Sequence, residues 1–270
     1  MVLYDVLDEI ASKQVTKTDT GDNRIFGVLQ GIVAKNYEES MPGRVCVTIP
    51  VRDKDHNELQ WARIAMPSSG KKWGHYFVPE VGDVVLLCFE QGYIDKPYVI
   101  GCIPKDNDTF FKQAVDKDNQ IKKIITKNGN TVIFEDNKEG EGDKDKITIK
   151  TAKDGHSILL DNENHEIRIT DKEKKNCIDI KTQDGKMSIL AASRVEIKVG
   201  DNMSLVMNGE SGNVTLTCTK LEVKASGGID LKSDGNAALK GSAVTVEASS
   251  VLKVDSSGAV KIGGSPISIG

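Results

Sequence analysis

Hydrophobic and polar residues alternate through the second half of the chain in the pattern of short β-strands. At each repeat two aliphatic side chains flank one residue, usually a polar one, as in a strand whose successive side chains point to opposite faces. Dipeptides suited to tight corners, such as Asp184-Gly185 and Asn208-Gly209, separate several repeats. The aliphatic pairs are Ile147/Ile149, Ile158/Leu160, Ile167/Ile169, Ile178/Ile180, Met187/Ile189, Val195/Ile197, Val214/Leu216, Leu221/Val223, Ile229/Leu231, Val244/Val246, Leu252/Val254, Val260/Ile262 and Ile267/Ile269.

The size of the hydrophobic residues predicts a narrow core for this region. All aromatic residues of the chain lie between Tyr4 and Phe134. A compact globular core normally contains aromatics, because each one buries a large apolar area. Their absence after Phe134 predicts a slender β-structure filled by thin layers of aliphatic side chains.

The interval between the pairs predicts a trimer. From Leu221 onward the interval settles near eight residues, which is too short for a full turn of a single-chain β-helix. Such short strands would leave their apolar stripe uncovered and their edges unpaired. Three identical chains that wind about one axis would cover both. The residues predicted for the trimer core are Ile229, Leu231, Val244, Val246, Leu252 and Val254.

The region before the repeats predicts a small barrel. Residues 25–104 contain five strand-like runs, at 26–33, 44–51, 61–65, 84–90 and 98–103. All prolines except Pro266 lie in or beside this region, where they mark strand ends and loops. Five strands in so short a segment favour an OB-fold, a small closed barrel. The fold class predicted for the whole chain is all-β.

The remaining segments connect or anchor these two parts. In residues 1–24, Leu3, Val6, Leu7 and Ile10 form one face of a short helix. A helix this short is marginal alone in water, so we expect its apolar face to pack on the protein itself or on a partner. Residues 105–130 are rich in Asp, Lys and Asn and are assigned to a neck. Residues 131–270 are assigned to the repeats.

Charge and reactive residues argue against several kinds of function. The chain has 36 basic and 40 acidic residues, and this balance lacks the basic excess of a nucleic-acid-binding protein. The five cysteines are widely spaced, which favours reduced thiols over disulfides or a zinc site. None of the four histidines has close metal-ligand spacing with another. We therefore expect no metal, no cofactor and no catalytic site.

The N-terminus and the hydropathy predict synthesis as a soluble cytoplasmic chain. Asp5, Asp8 and Glu9 interrupt what would be the apolar region of a signal peptide. No stretch approaches the roughly 20 apolar residues that span a bilayer. If the protein acts outside the cell, we expect something other than its own N-terminus to carry it there.

The barrel region resembles the OB-fold of VgrG and phage-baseplate central-spike proteins. The tail is similar to the intertwined triple-stranded β-helix that follows this OB-fold, so the resemblance covers residues 25–270. The matching residues are, in order, Gly43-Arg44-Val45, Trp61-Ala62-Arg63-Ile64-Ala65, Gly70, Trp73-Gly74, Phe77-Val78-Pro79-Glu80-Val81-Gly82-Asp83-Val84-Val85, Phe89-Glu90, Gly92, Asp95-Lys96-Pro97 and Val99-Ile100-Gly101.

The resemblance implies the homotrimeric central spike of a contractile injection system. By this resemblance the particle would be a phage tail, a tailocin, an extracellular injection particle or a type VI apparatus, either extracellular or membrane-anchored. VgrG proteins carry a large hub domain before the OB-fold. Because about 24 residues precede the barrel here, we expect the hub trimer to be a separate chain. The neck is too short for the lysozyme domain of some phage spikes.

The resemblance also implies partners at both ends. Leu3, Val6, Leu7 and Ile10 would dock on the hub, although packing on the chain's own barrel remains the alternative. A PAAR-repeat tip protein would cap the other end, and an effector cargo and the target membrane are further expected partners. The residues expected to bind the tip protein are Ile262, Ile267, Ser268, Ile269 and Gly270.

The expected function is mechanical puncture of a membrane. Sheath contraction would supply the work, and the spike would transmit it. A trimeric tailspike or adhesin that binds or cleaves surface polysaccharide is the alternative. The aromatic-free tail weighs against it, because sugars stack on aromatic rings. A scaffold that stays in the cytoplasm during assembly is a third possibility.

Overall fold

A computed structural model of the chain describes residues 15–17, 23–49, 61–105 and 108–268. The chain divides into two compact units, Met1–Ser193 and Arg194–Gly270. The hub-docking residues predicted within residues 1–14 lie outside the described part, as do Ile269 and Gly270 at the other terminus.

The first unit contains a closed five-stranded barrel, which confirms the predicted OB-type barrel. Its strands follow one another around the barrel in the order β3-β4-β5-β7-β6, and only β5 and β7 run parallel. A short hairpin precedes it, formed by β1 (Val15–Lys17) and β2 (Asn23–Ile25). The barrel strands are β3 (Leu29–Lys35), β4 (Arg44–Thr48), β5 (Ala62–Ile64), β6 (Val84–Phe89) and β7 (Pro97–Ile103).

Strict alternation builds the barrel core. In β6 every second side chain is buried, namely those of Val85, Leu87 and Phe89. Gly31 on β3 leaves room for this packing, since a Cβ there would lie 2.7 Å from Leu87 Cδ1. β3 begins later than predicted, because Gly27 has a φ of +91° that breaks the extended path.

After the barrel the chain forms an antiparallel meander. A single-turn helix, α1 (Thr109–Lys112), comes first, and β8 then begins within the segment assigned to the neck. Seven strands follow, β8 to β14, and each pairs with the next one in sequence. These strands are β8 (Ile121–Ile125), β9 (Thr131–Glu135), β10 (Lys146–Lys150), β11 (His156–Asp161), β12 (Glu166–Asp171), β13 (Cys177–Lys181) and β14 (Lys186–Leu190).

The second unit begins with a three-stranded sheet of β15 (Arg194–Val199), β16 (Met203–Asn208) and β17 (Asn213–Thr217). The pairs predicted from Ile147 to Leu216 therefore fall in strands, and β16 is a strand that the pattern missed. From Cys218 to Ser268 the described residues form no strand and make no backbone–backbone hydrogen bond. Every residue from 219 to 268 is exposed.

Candidate functional site

One face of the β8–β14 sheet carries a band of apolar side chains, here called the apolar stripe. Residues that face each other in neighbouring antiparallel strands project to the same side of the sheet, so their side chains stack across the strands. The register places two aliphatic columns side by side. One column is Ile147, Leu160, Ile167, Ile180 and Met187, and the other is Ile149, Ile158, Ile169, Ile178 and Ile189.

The apolar stripe is uncovered within the chain. Ile158, at its centre, is 36% exposed, and Ile189 near its edge is 58% exposed. The stripe continues onto β9 through Val132 and Phe134, and onto β8 through Ile124. Phe134, the last aromatic residue of the chain, is 40% exposed. A soluble protein rarely leaves so long and continuous an apolar band in water.

The opposite face of the same sheet satisfies its own charges. Arg168 on β12 is paired with Asp179 on β13 at 3.0 Å and with Glu166 on its own strand. Lys181 reaches Glu166 at 2.8 Å. The Glu166 side chain is only 7% exposed, and its carboxylate is held between two cations. Buried charges are tolerated only with such partners, and these ion pairs all form within a single chain. Two buried atoms on this face, Arg168 Nε and Asp179 Oδ1, have no hydrogen-bond partner among the described residues.

The partners also set the pKa values on this face. The hydrogen bond from Arg168 holds the pKa of Asp179 below its ordinary value of 3.8. Burial acts to raise the pKa of Asp161, but hydrogen bonds from Asn164 and Lys146 outweigh it, so the net pKa is lowered. Their stabilisation is therefore complete above pH 3.8 and is lost as the pH falls through the folded-state values.

Removing Arg168 should destabilise the first unit. In Arg168→Ala the buried Glu166 carboxylate loses one of its two cations, at a cost of about 1–3 kcal/mol. The measurement is chemical unfolding of the variant and the parent at neutral pH. Lys144→Ala is the control, because Lys144 pairs with Glu139 at the surface, where ion pairs contribute little. Equal stability of Arg168→Ala and the parent would contradict this account of the polar face.

The barrel matches a known domain family. Residues 29–103, which span β3 to β7, match the type VI secretion system/phage-baseplate injector OB domain. The barrel is an injector OB domain. The similarity to this family rests on residues 29–103.

Two curated relatives agree with this assignment. The chain is 37% identical over 62 residues to the type VI secretion system spike proteins VgrG2a and VgrG2b of Pseudomonas aeruginosa. The match covers 22% of this chain, 7% of VgrG2a and 6% of VgrG2b. The chain therefore matches only a small part of the length of these relatives.

The predicted trimer-core residues are all uncovered in the single chain. Leu231 is 94% exposed and Val254 is 74% exposed, and the other four are also exposed. Of the predicted tip residues, Ile262 is 72% and Ile267 is 51% exposed. Ser268 is exposed as well. The structure of one chain therefore brings none of these residues into a core.

The described residues contain few side chains arranged for metal binding or catalysis. They contain no cluster of three or more His, Cys, Asp or Glu side chains suited to a metal ion. The Nδ1 atom of His75 lies 2.8 Å from Ser68 Oγ, and this contact ties together the loop that follows β5. No helix among the described residues is long and apolar enough to cross a membrane.

Sequence reasoning missed one feature of the injector OB domain. The loop between β5 and β6 displays Trp73, Tyr76 and Phe77 to solvent, with exposed fractions of 67%, 72% and 63%. The signal was available, because three aromatics within five residues follow the adjacent pair Lys71 and Lys72. Of these residues, Trp73 and Phe77 are among those that carry the family resemblance.

Proposed function

We propose that the chain is the membrane-puncturing central spike of a contractile injection particle and that it works as a homotrimer. The observation that carries the proposal is the exposed apolar stripe, which lies on the opposite side of the sheet from a face whose charges pair within the chain. An exposed apolar face of this size calls for another protein surface that covers it. The match of the barrel to the injector OB domain of type VI secretion systems and phage baseplates supports an assembly of this kind.

Three copies around one axis would satisfy the geometry of the sheet. Each stripe would turn toward the axis and bury its two aliphatic columns against those of the other copies. The Arg168–Glu166–Asp179 side would face water. Full burial of one Ile side chain contributes about 1.5–3 kcal/mol, and each chain offers ten aliphatic positions in the two columns.

The second unit supports the same assembly. Backbone N–H and C=O groups normally pair when they are removed from water. From Cys218 to Ser268 the described backbone has no backbone partner of its own, yet aliphatic pairs recur there at strand spacing. Strands from two other copies would provide both the hydrogen bonds and the cover for the trimer-core residues. This part of the chain would then become an intertwined triple-stranded β-helix.

Such an assembly suits mechanical work rather than catalysis. A shaft whose strands pair between chains cannot separate one strand at a time, so it would transmit the thrust of a contracting sheath. The injector OB domain would sit on the baseplate hub, with the N-terminal segment as an additional anchor. The C-terminal part of the chain, at Ile262 and Ile267, would carry a PAAR-type tip protein, and with it any effector cargo, into the target membrane.

The tip contact provides the functional test. The double variant Ile262→Asp, Ile267→Asp should keep the trimer mass, because the upstream core layers remain. Purified particles from producing cells should lack the tip protein, and injection should fall toward the level of a deletion strain. Lys261→Asp with Ser265→Asp is the control at neighbouring positions.

Two outcomes would count against this proposal. Particles of the Ile262→Asp, Ile267→Asp variant that keep their tip protein would show that the tip binds elsewhere. Release of oligosaccharide when the purified protein is incubated with capsule or cell wall would favour the tailspike alternative.

A further inference from the structure

The loop of residues 66–80 in the injector OB domain, here called the aromatic loop, is built to hold its side chains in place. Gly70 N–H donates to the carbonyl of Trp73 at 2.8 Å, and His75 N–H donates to the carbonyl of Ser68 at 3.0 Å. The contact between the Ser68 and His75 side chains adds a third tie. A loop held by its own hydrogen bonds displays Trp73 without the entropic cost of ordering it on binding.

The aromatic loop lies at the end of the barrel from which the chain continues into the β8–β14 sheet. Asn36, just after β3, donates its side-chain amide to the carbonyl of Pro79 at 3.2 Å. β7 ends at that side of the barrel, where Ile103 pairs with Val84 at the start of β6. An ion pair of 2.9 Å joins Glu80 to Lys127 in the turn between β8 and β9.

A cleft of about 490 Å³ opens at the same end of the barrel and is here called the end cleft. Its apolar walls come from the ends of β6 and β7 and from α1, where Phe110 and Phe111 pack edge to face with ring centroids 5.1 Å apart. No residue of the aromatic loop of the same chain lines it. The lining residues are Asp83, Val84, Cys102, Ile103, Pro104, Lys105, Asp108, Thr109, Phe110 and Phe111.

The end cleft carries charges of both signs. Asp83, Asp108 and Lys105 line it, and Lys123 Nζ lies 4.7 Å from the centroid of the Phe110 ring at its apolar wall. Burial raises the pKa of the Cys102 thiol, and the negative charge of Asp83 raises it further. Asp83 and Asp108 can therefore pair with positive charge that arrives beside an apolar group.

We propose that the end cleft of one copy receives Trp73 from the aromatic loop of the next copy, with Lys71 and Lys72 facing Asp83 and Asp108. This inference rests on the proposed homotrimer. A ring of three identical chains closes through heterologous contacts, in which each copy offers two different complementary surfaces. The aromatic loop and the end cleft are two such surfaces. Both lie at the end of the barrel from which the chain continues into the β8–β14 sheet.

A second copy fits this contact better than the hub does. The apolar stripe of the adjoining sheet needs further copies of the same chain, and the aromatic loop lies beside the first turn of that sheet. The hairpin through which the N-terminal segment enters the barrel lies at the opposite end, where Arg24 bridges to Tyr93 in the connection between β6 and β7. Tryptophan is also enriched among residues that dominate binding energy at interfaces.

Disulfide cross-linking tests the contact directly. In Lys72→Cys the new thiol should lie close to Cys102 of the next copy, so mild oxidation should give covalent dimers and trimers on a non-reducing gel. These covalent species should disappear in the double variant Lys72→Cys, Cys102→Ser, and they should be absent from Lys96→Cys at the opposite end of the barrel.

Sedimentation velocity on the same samples reports the trimer independently. A trimer without cross-links overturns the contact and leaves the proposed function standing, whereas a monomer overturns both.

Tryptophan fluorescence provides a second readout that leaves the loop intact. The chain has two tryptophans, so Trp61→Phe makes Trp73 the only one. In the assembled protein we expect a blue-shifted emission and weaker acrylamide quenching than in a monomeric stripe variant that also carries Trp61→Phe. Emission from a water-exposed indole in a sample of trimer mass would overturn the contact.

Discussion

Replacing Ile158 with Asp should convert the assembled protein into a monomer. Ile158 lies at the centre of the apolar stripe, between Ile149 on β10 and Ile169 on β12. Three copies would bring three carboxylates into one apolar layer, each without a cation. The cost of desolvating an unpaired ion is several kcal/mol, and the burial of three isoleucine side chains is lost as well.

The effect should be on assembly rather than on the fold of the single chain. Ile158 is 36% exposed in one chain, so an aspartate there can point into water when no partner covers it. Circular dichroism should therefore keep the β-sheet signal of the barrel and of strands β8 to β17, while the mass falls by two thirds. Ser157→Asp is the matched control, because Ser157 lies on the same strand and faces the charged side near Lys150. A trimer formed by Ile158→Asp would show that the stripe does not face the axis.

The double variant Ile229→Asp, Leu231→Asp should also abolish trimer assembly. These side chains are 57% and 94% exposed in the single chain, and the strand alternation turns both to the same face. In an intertwined β-helix they would form two successive core layers, so six carboxylates would be buried near one axis. The measurement is the mass of the variant, together with digestion by a protease of the segment after Thr217, which should become sensitive.

The matched control for this segment exchanges the intervening charges. Asp230→Lys with Lys232→Asp keeps the net charge and changes only side chains expected to face water. It should assemble like the parent and resist the protease equally. If the Ile229→Asp, Leu231→Asp protein is a protease-resistant trimer, Ile229 and Leu231 do not face the axis.

The barrel and the faces of the strands could be predicted from the sequence because both depend on local alternation. In β12 the period of two places Ile167 and Ile169 on one face, and the register pairs them with Leu160 and Ile158 of β11. β16 was missed because Leu205, Val206 and Met207 are consecutive apolar residues that hide the period. β8 lies in the segment assigned to the neck, since adjacent lysines and adjacent isoleucines interrupt its alternation.

The partner of each strand is harder to predict. Alternation indicates which side chains share a face, but it does not indicate whether the neighbouring strand belongs to the same chain. Ile169 and Ile229 carry the same kind of pattern. The first lies in a strand that pairs within the chain, and the second lies in a segment with no backbone partner there. The longer strands and turns before residue 217 allow a chain to fold back on itself, whereas the eight-residue interval after Leu221 leaves little length for that.

The mass of the purified chain in solution is the most direct test of the proposed spike, and sedimentation velocity measures it without a partner or a surface. Three chains of 29.3 kDa correspond to about 88 kDa. The account predicts a single species of that mass, stable to dilution because the apolar stripe and the segment after Thr217 are both covered. A stable monomer of 29.3 kDa would mean that both surfaces tolerate water, and the proposed spike would lose its physical basis.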